Sequence, residues 1–113
     1  MKELEFIINS QKLELLKRIL NKNGKYGATF DFVMGYGHQQ GHGQIYTRDD
    51  NQATNLLPKV SIRTVVPDEI VAGLINDVTN ELSDGSFGDG KIFVRTIDDS
   101  IQIRTKSHGI DAL

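Results

Sequence analysis

The chain has 113 residues, room for one domain and no more at roughly 100–200 residues per domain. Its 38% hydrophobic and 25% charged residues are the mix of a packed module, which excludes a disordered or fibrous chain. With 13 Lys and Arg against 15 Asp and Glu the net charge is -2, so nucleic acid is a poor partner, and the absence of cysteine excludes disulfides, thiolate metal sites and cysteine nucleophiles.

Leu4, Phe6 and Ile8 share one face of a period-two pattern with Glu3 and Glu5 on the other, which predicts a half-buried first strand. This alternation of charged and apolar residues is neither a signal peptide nor a transmembrane helix, and a cytoplasmic protein without membrane insertion is expected. Ser10 offers an N-cap hydroxyl to a helix whose apolar positions are Leu13, Leu16, Ile19 and Leu20, closed by Asn23-Gly24. Ala28 to Met34 concentrates aromatic and β-branched residues and predicts a second strand that stops at Gly35. From Gly35 to Asn55 there is little to bury apart from Ile45 and Tyr46, which predicts a long polar loop of the kind that carries function.

Val60, Ile62 and Thr64 alternate in a third strand entered through Leu57-Pro58-Lys59. Pro67 opens a second helix with Asp68 and Glu69 near its positive end, and Ile70, Val71, Leu74, Ile75, Val78 and Leu82 form its apolar stripe. A second glycine-rich loop, Ser83 to Gly90, leads into a β-prone run from Lys91 to Thr96, and Ile101 to Arg104 alternates as a short last strand. The order βαββαβ predicts an α+β, ferredoxin-like fold for residues 1–113, both helices lying on one face of a four-stranded antiparallel sheet. The other face then needs cover for its apolar residues, and a closed homotrimer with inward-facing sheets supplies it.

Gly88-Asp89-Gly90-Lys91 is the sharpest local feature, because glycines let backbone N–H groups turn toward an anion beside a lysine charge. A tight turn with a solvated lysine is the plainer reading of the tetrapeptide taken alone, and it matches neither Walker A nor Rossmann spacing. Arg104 offers a bidentate phosphate contact if it meets Lys91. His38 and His42 stand at metal-pair spacing, but the glycines around them and the lack of a third ligand favour solvated loop histidines. No Ser/His/Asp constellation is assignable and Asp98-Asp99 reads as a turn, so no catalytic activity is expected.

Taken together, Gly35-Tyr36-Gly37-His38-Gln39-Gln40-Gly41-His42, Leu57-Pro58-Lys59-Val60, Val65-Val66-Pro67-Asp68, Gly88 to Val94 and Ile103-Arg104-Thr105 resemble the PII signal-transduction family over nearly the whole chain. The resemblance implies a homotrimeric sensor, not an enzyme, with ATP or ADP in the clefts between subunits. It also implies a partner-binding loop, at about residues 37–55, that docks on a membrane transporter or cytoplasmic enzyme. By motif match Gly35, Gly37, His38 and Gln39 at the loop base, with Gly88, Asp89, Gly90, Lys91 and Arg104, would surround the phosphates, and Ile7, Thr29 and Val65 would lie near adenine and ribose. Gln39 would help hold magnesium with ATP and 2-oxoglutarate, and Lys59 would support the latter.

Two departures bear on specificity. His38 stands where the family usually has arginine, and Gln102 replaces a second terminal-strand arginine, so the expected preference for ATP over ADP is weakened. Tyr46 is followed by Thr47-Arg48-Asp49-Asp50 in place of the usual modification run, which points to control by ligand occupancy, with Arg48, Asp49 and Asp50 selecting the partner by charge. A PII-like regulator outside nitrogen metabolism that does not sense 2-oxoglutarate is one alternative, and a metal-binding ferredoxin-like trimer is another.

Overall fold

The computed structural model describes residues 1–36, 56–85 and 88–113. Strand β1, Lys2–Asn9, buries Leu4, Phe6 and Ile8 and turns Glu3, Glu5 and Ile7 to the opposite face, as its alternation predicts. Helix α1, Leu13–Lys22, does not follow directly: a 3-10 turn over Ser10–Lys12 intervenes. Ser10 is therefore not a helix cap: Asn9 caps the 3-10 turn, its side-chain oxygen accepting the Gln11 N–H at 2.8 Å, and Lys12, the residue before α1, makes no side-chain cap bond. α1 ends at Asn23, whose amide donates to the Ile19 carbonyl at 2.8 Å and to Asp77 at 3.2 Å, tying the two helices together.

β2, Thr29–Tyr36, runs through Gly35 instead of stopping there, because its ladder with β3, Leu56–Val66, continues to the pairs Gly35–Leu57 and Tyr36–Leu56. Pro58 falls one residue beyond the last β1 partner of β3, so its missing N–H lies where β3 is flanked only by β2. Helix α2, Asp68–Leu82, begins one residue after Pro67, whose extended backbone makes it the cap residue. Met1 places its terminal ammonium 3.0 Å from Asp68. β4, Lys91–Thr96, completes an antiparallel sheet of order β2-β3-β1-β4, the ferredoxin-like arrangement. No described helix is long and apolar enough to cross a membrane.

The core joins Leu4, Phe6 and Ile8 to Val60 and Ile62 of β3, Leu16 and Ile19 of α1, and Leu74, Val78 and Leu82 of α2. The opposite face of the sheet is mixed: Ile7, Val33, Val65 and the exposed Phe93 lie on it, as the pattern suggested, together with charged side chains. It carries a chain of charge-assisted contacts across all four strands: Arg95 reaches Glu3 at 3.0 Å and Glu5 at 2.8 Å, and the Ser61 hydroxyl donates to Glu5 at 2.8 Å. Arg63 in turn reaches Ser61 at 3.3 Å and Asp31 at 2.9 Å. Exposed apolar groups also gather on the helix side of β2, which the helices leave uncovered: Phe30, Phe32 and Met34 are 50, 70 and 60% exposed.

Ile101 to Arg104 does not add a strand. Ile101 and His108 form a single bridge, and the Lys106 N–H bonds back to the Gln102 carbonyl at 2.7 Å, so bonds that a strand would give a neighbour close a local loop. Asp99 accepts the Ser100 and Gly109 N–H groups and meets His108 Nδ1 at 3.0 Å, a turn anchor and not half of a carboxylate dyad.

Phe6 is fully buried at the centre of the sheet. Phe6→Ala is expected to lower unfolding free energy by about 3–5 kcal/mol, read from the denaturation midpoint in urea.

Candidate functional site

The strand register collects one end of the sheet around the root of the long connection between β2 and β3. Ile7 faces Lys91 on β4 and Ser61 on β3, Lys59 pairs with Asn9 and with Val33, and Gly35 pairs with Leu57. Ile7, Gly35, Lys59, Lys91 and the Gly88–Gly90 turn are thus brought together at this end. Gly37, His38, Gln39, Tyr46, Arg48, Asp49 and Asp50 lie outside the described residues.

Two glycines permit the close packing here. Gly90 has φ +106°, and a Cβ on it would sit 2.2 Å from the Ile7 carbonyl oxygen, so the turn is seated directly on β1. A Cβ on Gly35 would crowd the Lys59 side chain, 3.1 Å from its Cγ, so the glycine leaves room for the lysine stem. Lys59 is only 9% exposed. Burial, with a smaller contribution from the Lys12 charge, lowers its pKa below the ordinary lysine value. Lys91 is exposed.

Asp89, matched to the phosphate surroundings by motif, spends its carboxylate on the turn itself. One oxygen accepts the Asp84 and Gly85 N–H groups at 3.0 Å each and the Ser83 hydroxyl at 3.3 Å, and the other meets the Lys12 ammonium at 3.0 Å. A side-chain hydrogen bond with Asp84, then the Lys12 contact and these backbone donors, hold its carboxyl far below the usual carboxylate range. Lys12 also donates to the carbonyl of Leu82. Sequence reasoning read Lys12 only as a polar position of an amphipathic helix, since its partners Leu82 and Asp89 lie 70 and 77 residues away.

The remaining matched residues are elsewhere. Val65 pairs with Glu3 and Thr29 with Arg63, toward the other end of the sheet. Val65 is four residues past Ser61, the partner of Ile7, or about 13 Å along the strand. Between them lies the Glu5, Arg95 and Arg63 network. Arg104 is exposed in the C-terminal loop and makes no ion pair among the described residues; Gln102 accepts the Thr105 hydroxyl at 2.7 Å. Among the described residues no group of three or more His, Asp or Glu is arranged to hold a metal.

An antiparallel β2-β3-β1-β4 sheet backed by two helices, with a glycine turn and two lysines at the root of its longest connection, defines a ferredoxin-like α+β module. The family model described as Nitrogen regulatory protein P-II matches residues 1–107, and the chain belongs to this PII family of regulatory signalling proteins. It is 39% identical to the nitrogen regulatory protein P-II of Bradyrhizobium diazoefficiens, 40% to that of Rhodobacter capsulatus and 38% to that of Haemophilus influenzae, over 113 residues that span the whole of both chains.

Gly90→Ala combines a positive φ with a clash against backbone and is expected to cost at least about 1–3 kcal/mol, measured by chemical denaturation. Asp89 has a depressed folded-state pKa, so its stabilisation is present above the unfolded carboxyl value of about 3.9 and is lost as pH falls toward the folded value. The stability gap between wild type and Asp89→Asn should therefore shrink as pH is lowered from about 5 to about 2.

Proposed function

We propose that this chain senses adenine nucleotides, ATP or ADP, in clefts between the subunits of a homotrimer. Their occupancy is passed to a membrane transporter or cytoplasmic enzyme through residues 37–55. The observation that carries this reading is the location of the Gly88–Lys91 turn: it sits on β1 beside Lys59, at the sheet end from which the long connection departs. Phosphates received there would touch the root of the loop, so ligand occupancy and loop state become linked.

A cleft shared by two subunits fits the division of the matched residues. Gly90, Lys91, Ile7 and Gly35 occupy one end of a protomer, whereas Thr29 and Val65 lie beyond an ion-paired surface that an anion would have to displace. A neighbouring copy supplying the second group avoids that displacement. The uncovered Phe30, Phe32 and Met34 edge also favours self-association, since burying apolar surface is what holds obligate oligomers together.

With His38 and Gln102 in place of two fixed cations, the γ-phosphate of ATP gains little over ADP. With magnesium, Gln39 and Lys59 are the residues that 2-oxoglutarate would engage. Nucleotide occupancy biases a loop equilibrium in this scheme, and a shift from 1:99 to 99:1 would need about 5.5 kcal/mol of differential binding, so graded switching is the expected behaviour. The protein is read as a sensor and not as a catalyst.

Calorimetric titration with ADP and with ATP–magnesium, each with and without 2-oxoglutarate, tests the reading. The expected result is binding of both nucleotides with affinities within about tenfold of each other, and weakening of both by about tenfold in Lys91→Ala. Failure of both nucleotides to bind refutes it. Binding without any response to 2-oxoglutarate assigns the protein to regulation outside nitrogen metabolism.

A further inference from the structure

Gly85, Gly88 and Gly90 lie between the end of α2 and the start of β4, and a glycine has wide backbone freedom at its own position. Something must select one conformation if the N–H groups of this segment and Lys91 are to meet an anion in fixed geometry. Gly90 packs on the Ile7 carbonyl at one end of the segment. At the other end the Lys12 ammonium group connects the turn and α2 to the start of α1.

Lys12 sits in the 3-10 turn that precedes α1. Its Nζ donates to the carbonyl of Leu82, the last residue of α2, contacts Asp89 at 3.0 Å and approaches Asp84 at 3.5 Å. An ammonium has three donors, and here three acceptors surround it, one from the last residue of α2 and two from the segment that follows. The side chains of Lys12 and Asp89 are 22% and 21% exposed, so their attraction is less screened than that of a surface pair. The Leu82 carbonyl lies at the negative end of α2, where a cation is favoured.

We propose that Lys12 is a positioning residue for the glycine turn: it ties Leu82, Asp84 and Asp89 to the start of α1 so that Gly90 and Lys91 are held ready for a phosphate, without touching the ligand itself. The lock stands on these contacts, and its consequence for the ligand rests on the nucleotide reading above. Lys12 does a second thing that a packing residue would not. Its positive charge lies beside the acidic Asp84 and Asp89, so its removal makes the field met by an incoming anion at the turn more negative. Loss of Lys12 should therefore reduce anion affinity through repulsion as well as through disorder.

The test compares wild type with Lys12→Met, Lys12→Arg and Lys91→Ala in the full chain, using backbone amide exchange without nucleotide and calorimetric titration with ADP. Lys12→Met is expected to speed exchange at the Asp84 and Gly85 amides by about tenfold and to weaken ADP binding by about tenfold. Lys12→Arg, which keeps the charge, should restore both to within about threefold of wild type, whereas Lys91→Ala should weaken ADP with exchange unchanged. Wild-type exchange at both amides in Lys12→Met would overturn the lock, and faster exchange with unaltered ADP affinity would overturn its role at the site. If wild type binds no ADP, the nucleotide reading and the role at the site fail together, and the exchange result alone decides the lock.

Discussion

β1 is hydrogen-bonded along both edges, to β3 and to β4, and nearly every other feature of the molecule is referred to it. Side chains alternate across a strand, so one face of β1 supplies Leu4, Phe6 and Ile8 to the core while the other supplies Glu3 and Glu5 to the ion-paired network. A slip of one residue would exchange these faces, placing carboxylates against α1 and α2 without partners, at a cost no surrounding contact offsets. The same register sets Ile7 opposite Lys91 and brings its carbonyl against Gly90. Core, charge network and glycine turn therefore depend on one pairing.

A net charge of -2 conceals how unevenly charge is used. On the open face of the sheet Arg95 and Arg63 are matched by Glu3, Glu5 and Asp31. At the sheet end the acids Asp84 and Asp89 are engaged with Lys12 and with backbone donors, while Lys91 is exposed. Acidic side chains there build the turn, and a lysine outside that pairing is what an anion would meet.

Much of the fold was legible because it follows from short-range periodicity. The alternation around Phe6, the stripe from Ile70 to Leu82 and the Asn23-Gly24 stop each name an element on local grounds. Boundaries were less legible where a neighbouring strand decides them. Gly35 reads as a strand end by propensity, yet pairing with Leu57 carries β2 past it. Ile101 to Arg104 reads as a strand by alternation, yet its backbone bonds close on Gln102 and Ser107. The division of apolar residues between the two faces was hidden for a related reason: which face a residue joins depends on its cross-strand partner, and the partners of Phe30 and Phe32 are the buried Ile62 and Val60, whereas that of Phe93 is Glu5.

For the candidate site, composition and motif were enough to name Gly88, Asp89, Gly90 and Lys91 and to bring out the PII resemblance, because a glycine-rich turn beside a lysine is a local signature. The sequence alone also determined the absence of cysteine chemistry, the amphipathic faces and the ferredoxin-like order of elements, all of which rest on residue identity and near-neighbour spacing. Only the tertiary structure decided that Asp89 belongs to the turn and that Lys59 is buried beside Gly35. It alone also decided that Lys12 reaches across to the far end of the second helix. These roles come from contacts between residues tens of positions apart, and a side chain's charge and hydrogen-bonding capacity do not specify which distant group will be there to meet them.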